Sequence, residues 1–158
     1  MQEFADTARQ LIDTNNYMVL GTADASGTPW TTPVFFSPDG HSEFYWVSGR
    51  STRHSRNIAG RPEVSLAIFD SRCAIGTAEA VYMSATAAEV PVEDHERALV
   101  VFNAKLEERR HFTVAEIREP EEFRLYRATV VEHSVLIRGG HPLNRMPHDS
   151  RVVVDLKD

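Results

Sequence analysis

Residues 43–70 read EFYWVSGRSTRHSRNIAGRPEVSLAIFD, and the order of features in this stretch decides the fold. Two β-prone runs, 43–49 and 63–70, flank a short helix that the pattern predicts over about 52–59, with Gly60 as its stop. The stretch from 48 to 58 is rich in hydroxyls and carries four basic side chains: Arg50, Arg53, His54 and Arg56. The chain as a whole has a formal net charge of −6. This local basic cluster predicts either a solvated helix face or a site for an anion such as phosphate.

The segments on either side predict a mainly β domain. β-prone runs at 17–24 and 29–36 are joined to 43–49 by turns, which indicates consecutive antiparallel hairpins. Pro33 removes one ladder donor, so it points to an edge, a bulge or a backbone group turned toward a ligand. Further strands are predicted at 63–70, 78–90 and 123–137, the last being the sixth, with RVVVDL (151–156) as a candidate final strand. Helices are predicted over about 2–14 and 92–109, with a short one in 113–120. This content favours a small closed barrel with short capping helices.

Size and composition limit the class of protein. A chain of 158 residues fits one domain, 1–158, and 42% hydrophobic with 25% charged residues is a normal globular balance. A pI near 5.6 argues against nucleic acid or an anionic membrane surface as partner. The single cysteine, Cys73, excludes an intrachain disulfide and suits a reducing cytoplasm. The N-terminus lacks the apolar core of a signal peptide, and no run approaches a membrane span, so a cytoplasmic protein is expected.

The basic stretch has the local chemistry of an anion site. Ser51 or Thr52 is a suitable N-cap, and the first turn of a helix presents free N–H groups to an anion. Arg53 and His54 fall in that first turn, where cations are unfavourable by about 0.3–1 kcal/mol unless a bound anion compensates them. Arg56 would face another way and is compatible with plain surface.

The order of features resembles a known family. LGTADASGTPWTTPVFF, then residues 43–70, then AEAVYMSATAAEV look like the FMN-binding split barrel of the pyridoxamine 5′-phosphate oxidase-like family, over roughly residues 10–90. The most specific part is a strand, then G-x-x-(T/S)-R-(K/H)-x-x-N, then R-P-x-V-S-L. The resemblance implies a six-stranded split β-barrel with short capping helices, and an oxidoreductase acting on a small-molecule substrate. It also implies a homodimer with two FMN sites at its interface.

The same resemblance assigns roles to residues. Arg53 and His54 would bind the phosphate, Ser48 and Gly49 would contact the phosphate or the ribityl chain, and the backbone of 32–35 would lie beside the isoalloxazine ring. Glu79 or Ala80 falls near a family glutamine that reaches FMN. The residues so assigned to cofactor binding are Thr32, Pro33, Val34, Phe35, Ser48, Gly49, Thr52, Arg53, His54 and Glu79. No side chain is assigned as a catalytic residue.

Two departures from the family pattern bear on function. His54 stands where the oxidase commonly has lysine, so a phosphate clamp built on it would depend on pH. The C-terminal stretch LIRGGHPLNRMPHDSR has Ile137 in place of the oxidase tryptophan and lacks its basic run, which argues against pyridoxamine phosphate as substrate. Three alternatives remain open: a deazaflavin-dependent reductase, a non-catalytic flavin or haem binder, and an interaction module whose arginines are only surface.

Other candidate sites have less support. His141, His148 and Asp149 lack a recognised metal-ligand spacing, and no metal is expected. Cys73 is more typical of a small buried residue than of a nucleophile. Four aromatic side chains are candidates for a flat cofactor pocket, although aromatics on strands more often belong to the core: Trp30, Phe35, Phe36 and Trp46.

Overall fold

The computed structural model describes residues 1–156, and its central element is one curled antiparallel sheet of eight strands. The strands are β1 Tyr17–Ala23, β2 Pro29–Phe35, β3 Ser37–Asp39, β4 Glu43–Gly49, β5 Glu63–Phe69, β6 Ala80–Glu89, β7 Phe123–Ile137 and β8 Ser150–Val154. The helices are α1 Gln2–Thr14, α2 Arg53–Gly60 and α3 His95–Asn103, with 3₁₀ turns at Val92–Asp94, Glu108–Arg110 and Val114–Ile117. None of the described helices has the length and apolar character that crossing a bilayer requires.

The strand order leaves a gap in the barrel wall. Strands follow one another as β2-β1-β5-β6-β7-β4-β3, and β8 pairs with the second half of β7. The two ends of this order curl toward each other, so that β2 and β4 lie in contact, but no ladder joins them among residues 1–156. Because β3 pairs only with the first three residues of β4, the backbone of 46–49 has no strand partner on that side. We call this gap between β2 and β4 the split.

Two apolar clusters hold the sheet in shape. The first fills the barrel and is capped by α1, whose buried side chains recur at helical spacing and include the fully buried Ala8 and Ile12. Trp46 of β4 lies in this core, stacked on Tyr126 with ring centroids 5.7 Å apart. The second cluster lies between α3 and the outer face of β4 and β7, and includes Tyr45. Both clusters fix β4, so the turn that follows it is held on a rigid strand.

The mainly β split barrel is confirmed, while the predicted strand count and one helix need correction. The count of six omits β3, a short strand at one end of the strand order. The candidate final strand at 151–156 is present as β8, which pairs with the second half of β7. Because 37–42 contains Pro38 and Gly40, it has the composition of a turn, and only pairing with β4 makes 37–39 a strand. The predicted helix 92–109 is confined to α3. It ends at Asn103, whose side-chain amide exchanges two 3.0 Å hydrogen bonds with the backbone of Phe112 and folds the chain back.

Candidate functional site

The basic stretch forms the turn between β4 and α2, at one end of the split. Thr52 is the N-cap of α2: its hydroxyl accepts a hydrogen bond from the Ser55 N–H at 3.4 Å and donates to the Gly49 carbonyl at 2.8 Å. The helix is anchored to β1 by a buried 3.0 Å bond from Asn57 Nδ2 to Thr22 Oγ1. The predicted helix and cap are confirmed. The first turn of α2 therefore has a fixed position at the mouth of the split.

The first half of this turn is already neutralised by the protein itself. Arg50 forms an ion pair with Glu119, and the Ser51 N–H donates to Glu122 Oε1 at 2.8 Å. The bonds from the Ser51 hydroxyl and N–H hold the pKa of Glu122 below its usual value. Arg56 Nη1 donates to the Ser51 carbonyl at 2.7 Å. Arg50 and Arg56 are therefore committed to structural contacts within the chain.

A buried arginine supports the same region from below. Arg124 is 5% exposed, and its guanidinium lies 2.8 Å from Glu119 and 3.3 Å from Glu89. Glu119 thus bridges Arg124 and Arg50. These ion pairs hold the segment after the last 3₁₀ turn against the start of the basic turn. They also engage Glu119 and Glu89, so these carboxylates already have cationic partners.

Arg53, in the middle of the turn, forms no such ion pair or hydrogen bond with the described residues. The Arg53 guanidinium lies over the Trp30 ring, with Cζ 4.4 Å from the ring centroid. Within residues 1–156 the Arg53 side chain makes no hydrogen bond, and no carboxylate lies within 4.0 Å of it, although its charge is near enough to help lower the pKa of Asp24. Arg53 is therefore an exposed cation at a helix N-terminus with its donors free.

His54 is the other basic side chain on this side of the turn. Its Nε2 lies 2.8 Å from Ser48 Oγ and 3.3 Å from Thr52 Oγ1. The ring is half-buried, and burial lowers the pKa of His54 from its ordinary value of 6.5. Neutral imidazole therefore predominates at pH 7 in the ligand-free protein. A bound anion would have to raise that pKa again before the ring carried charge.

An aromatic groove runs from the split toward α3. Its volume is about 780 Å³, and its wall includes Phe35 of β2 and Val47 of β4, which flank the split from opposite sides. Phe123, which pairs with Gly49, closes the end nearest the basic turn. Edge-to-face contacts with centroids 5.8–5.9 Å apart join successive rings of the wall: Phe35, Phe102, Phe112 and Phe123. The groove offers a flat ligand an apolar wall that ends beside a basic turn.

Two cationic side chains, Lys105 and Arg110, also line this groove. Lys105 Nζ donates to the carbonyls of Asn15 at 2.8 Å and Phe36 at 3.0 Å, and it lies 4.2 Å from the centroid of the Phe36 ring. Burial lowers the pKa of Lys105 from its ordinary value. The lysine ties the end of α1 to the end of β2, so its first role is structural.

Most of the predicted cofactor residues meet at the split. Residues 32–35 lie on its β2 side, and the turn containing Ser48, Gly49, Thr52, Arg53 and His54 follows its β4 side. Of the four aromatic candidates, Phe36 and Trp46 are fully buried core residues, whereas Phe35 lines the groove and Trp30 is 40% exposed.

Glu79 does not join this group within one chain. It precedes β6 and lines a different pocket with Gln10 and Asp70, whereas the opposite end of β6, at Glu89, reaches the basic turn through Arg124. Ten strand residues span roughly 30 Å. A role for Glu79 or Ala80 at the cofactor would require a second chain.

Sequence reasoning missed two partners of the basic turn. The acidic run Glu119–Pro120–Glu121–Glu122 was visible as a local excess of negative charge, but nothing in the sequence pairs it with residues some 70 positions earlier. The contact of Trp30 with Arg53 left no sequence signal at all. Among residues 1–156, no group of three or more His, Cys, Asp or Glu side chains is arranged to hold a metal ion. His141, His148 and Asp149 therefore do not form such a group.

Comparisons with known proteins agree with this architecture. The family model for pyridoxamine 5′-phosphate oxidase matches residues 4–136. None of the curated protein sequences matches the chain.

Solved structures with the same fold include proteins described as binding haem. The haem-binding protein of Mycobacterium smegmatis has a TM-score of 0.69 at 17% identity, over 94% of this chain and 57% of that one, so this chain spans little more than half its length. The haem storage protein HutZ of Vibrio cholerae has a TM-score of 0.63 at 20% identity, over 80% of this chain and 89% of that one. A Clostridium acetobutylicum protein related to general stress protein 26, of the pyridoxine phosphate oxidase family, has a TM-score of 0.68 at 12% identity, over 98% and 96%.

Proposed function

This chain belongs to the pyridoxamine 5′-phosphate oxidase family, and on that premise we propose that it binds FMN in the split and acts as a flavin-dependent oxidoreductase on a small molecule. The observation that carries the proposal is the state of Arg53. It is an exposed guanidinium in the first turn of α2, with free donors and no carboxylate of the described chain within ion-pair distance. A phosphate at this point would meet both the guanidinium and the positive end of a helix.

The residues present fit the phosphate end of FMN. The N-cap arrangement leaves N–H groups of the first turn without intrahelical partners, which suits a phosphate oxygen. Arg53 can bind a phosphate bidentately, and His54 lies beside it on Ser48 and Thr52. Arg50 and Arg56 are excluded from this role because carboxylate or carbonyl groups of the chain hold them.

The residues present also fit the ring. A flat tricyclic ring needs an apolar wall and backbone groups for its polar edge. The split supplies the edge of β4 at 46–49, which has no strand partner on this side within residues 1–156, together with the edge of β2 at 32–35. The groove that contains Phe35 and Val47 supplies the wall. When bound, FMN would supply the hydride or electron transfer. The chain would hold the phosphate, orient the ring and limit the access of water.

A homodimer is part of the proposal. Glu79, which the family pattern places near the cofactor, lies at the far end of β6 from its own basic turn. A second chain would have to bring its Glu79 to the site. We therefore propose that each FMN is shared between two chains.

Haem binding on the same fold is the second candidate. Two of the similar structures are described as haem proteins, with TM-scores of 0.69 and 0.63. An apolar groove beside basic residues also suits a porphyrin with its propionates. A deazaflavin with a longer phosphorylated tail would use the same basic turn.

An absorbance spectrum of the purified protein separates these ligands. Flavin absorbs at about 375 and about 450 nm, a deazaflavin has a single band at about 420 nm, and haem has an intense Soret band. FMN and riboflavin are then titrated into the apoprotein of wild type, Arg53→Ala and the matched control Arg56→Ala. A charge-assisted hydrogen bond contributes about 1.5–3 kcal/mol, so Arg53→Ala should weaken FMN binding about 10- to 150-fold. Riboflavin affinity and the control should change little. Equal losses for FMN and riboflavin would contradict a phosphate site at Arg53.

A further inference from the structure

We propose that Trp30 is a positioning residue for the phosphate site: its ring holds Arg53 at the mouth of the split, so that the guanidinium is placed before the ligand arrives. The inference deepens the proposed FMN site and rests on it. It concerns a residue on β2 that the family pattern does not assign to the cofactor. The distance that carries it is the 4.4 Å between Arg53 Cζ and the centroid of the Trp30 ring.

Trp30 and Arg53 belong to one rigid framework. Trp30 pairs with Thr22 across the β1–β2 ladder. The Thr22 hydroxyl in turn accepts the buried 3.0 Å bond from Asn57 on α2, the helix that carries Arg53. Sheet pairing and this buried bond therefore fix the backbone that carries the Trp30 ring relative to the first turn of α2. The ring provides a defined surface on which the arginine side chain can rest.

The kind of contact leaves the arginine ready to bind. A ring attracts a guanidinium placed over its face without using the N–H donors, all five of which remain available to a phosphate. An unsupported arginine on the surface would lose most of its rotamer freedom when it bound a ligand. Arg53 has already lost part of that freedom on Trp30. The contact should therefore strengthen FMN binding and should leave riboflavin, which has no phosphate, unaffected.

Two other arrangements of the ring predict different changes in binding. If the ring held Arg53 away from the phosphate, loss of the ring would release the side chain and tighten FMN binding. If Trp30 instead contacted the isoalloxazine ring, its loss would weaken FMN and riboflavin equally.

The test compares Trp30→Leu, which keeps apolar bulk, with Trp30→Phe, which keeps an aromatic face. FMN and riboflavin dissociation constants are measured for wild type, both variants, Arg53→Ala and the double variant Arg53→Ala/Trp30→Leu, with thermal unfolding as the check on folding. Trp30→Leu should weaken FMN about two- to fivefold, the strength of an exposed cation–π contact. Trp30→Phe should stay close to wild type, and riboflavin binding should not change. In the Arg53→Ala background, Trp30→Leu should have no further effect.

Each other outcome overturns a stated part of the reasoning. Wild type that shows no preference for FMN over riboflavin would overturn the proposed function, and the role of Trp30 with it. If wild type prefers FMN over riboflavin but Trp30→Leu binds FMN as tightly as wild type or more tightly, only the role of Trp30 is overturned. So would an equal loss of riboflavin, or a full effect of Trp30→Leu in the absence of Arg53.

Discussion

If His54 contacts the phosphate of FMN, binding should depend on pH in a predictable direction. Burial lowers the pKa of His54 in the ligand-free protein, so the ring is mostly neutral at pH 7. A phosphate dianion beside it would favour the imidazolium and raise the pKa on binding. The complex would then hold more protons than its separated components. FMN affinity should therefore fall as pH rises between the free and bound pKa values of His54.

The size of the effect follows from the contact. A hydrogen bond from a charged group to phosphate contributes about 1.5–3 kcal/mol, which corresponds to a rise of about one to two pKa units. The affinity contributed by His54 should thus fall about 10- to 150-fold in total, with a limiting slope of one decade per pH unit. Because the free pKa lies below 6.5, the decline begins below pH 6.5 and levels off only above the pKa of the ring in the complex.

The assay measures FMN dissociation constants from pH 6 to 9 for wild type and His54→Gln. The second ionisation of the phosphate, with a pKa of about 6, affects both proteins and cancels in the ratio of their affinities. That ratio should fall with rising pH and then level off. His54→Lys should bind FMN with no decline up to pH 9, because lysine stays charged to about pH 10. A flat ratio, or the same slope with riboflavin, would refute phosphate contact by a charged His54.

Further expectations concern stability and assembly. Thr52→Ala removes the N-cap of α2 and should lower the free energy of unfolding by about 0.5–2 kcal/mol in urea titrations, with weaker FMN binding; unchanged stability would contradict the cap. Ile12→Ala, at a fully buried site, should lower the free energy of unfolding by about 2–5 kcal/mol, while Val100→Ala, at a 73% exposed site, should change it by no more than about 0.5 kcal/mol; similar losses for both would contradict the burial of Ile12 in the core. Burial also lowers the pKa of His133, so the unfolded state binds more protons and stability should decline as pH falls below 6.5; His133→Gln should reduce that slope, and an unaltered slope would assign it to other groups. Light scattering of the flavin-loaded protein should give about twice the 17.8 kDa chain mass, and a monomer holding one flavin would contradict a shared site.

The sequence by itself determined the elements that depend on near neighbours. The apolar spacing of 2–14 predicted α1 with its observed bounds, and the hydroxyl–basic pattern at 51–54 predicted the start of α2 with Thr52 as one of two candidate caps. The β-prone runs predicted six of the eight strands and offered residues 151–156 as a candidate for β8, so that only β3 was missed. These features were accessible because helical periodicity, strand propensity and capping act within a few residues of one another.

The tertiary structure decided which of the basic side chains are free to bind a ligand. Four basic side chains within seven residues look alike in sequence, yet Arg50 is neutralised by Glu119, 69 positions later, and Arg53 rests on Trp30, from a strand that precedes it. The structure also placed Glu79 at the far end of β6 from the basic turn. Such contacts join segments that are distant along the chain and meet only when the sheet curls β2 toward β4. No local pattern encodes them, because their partners are set by strand order and by the closure of the barrel.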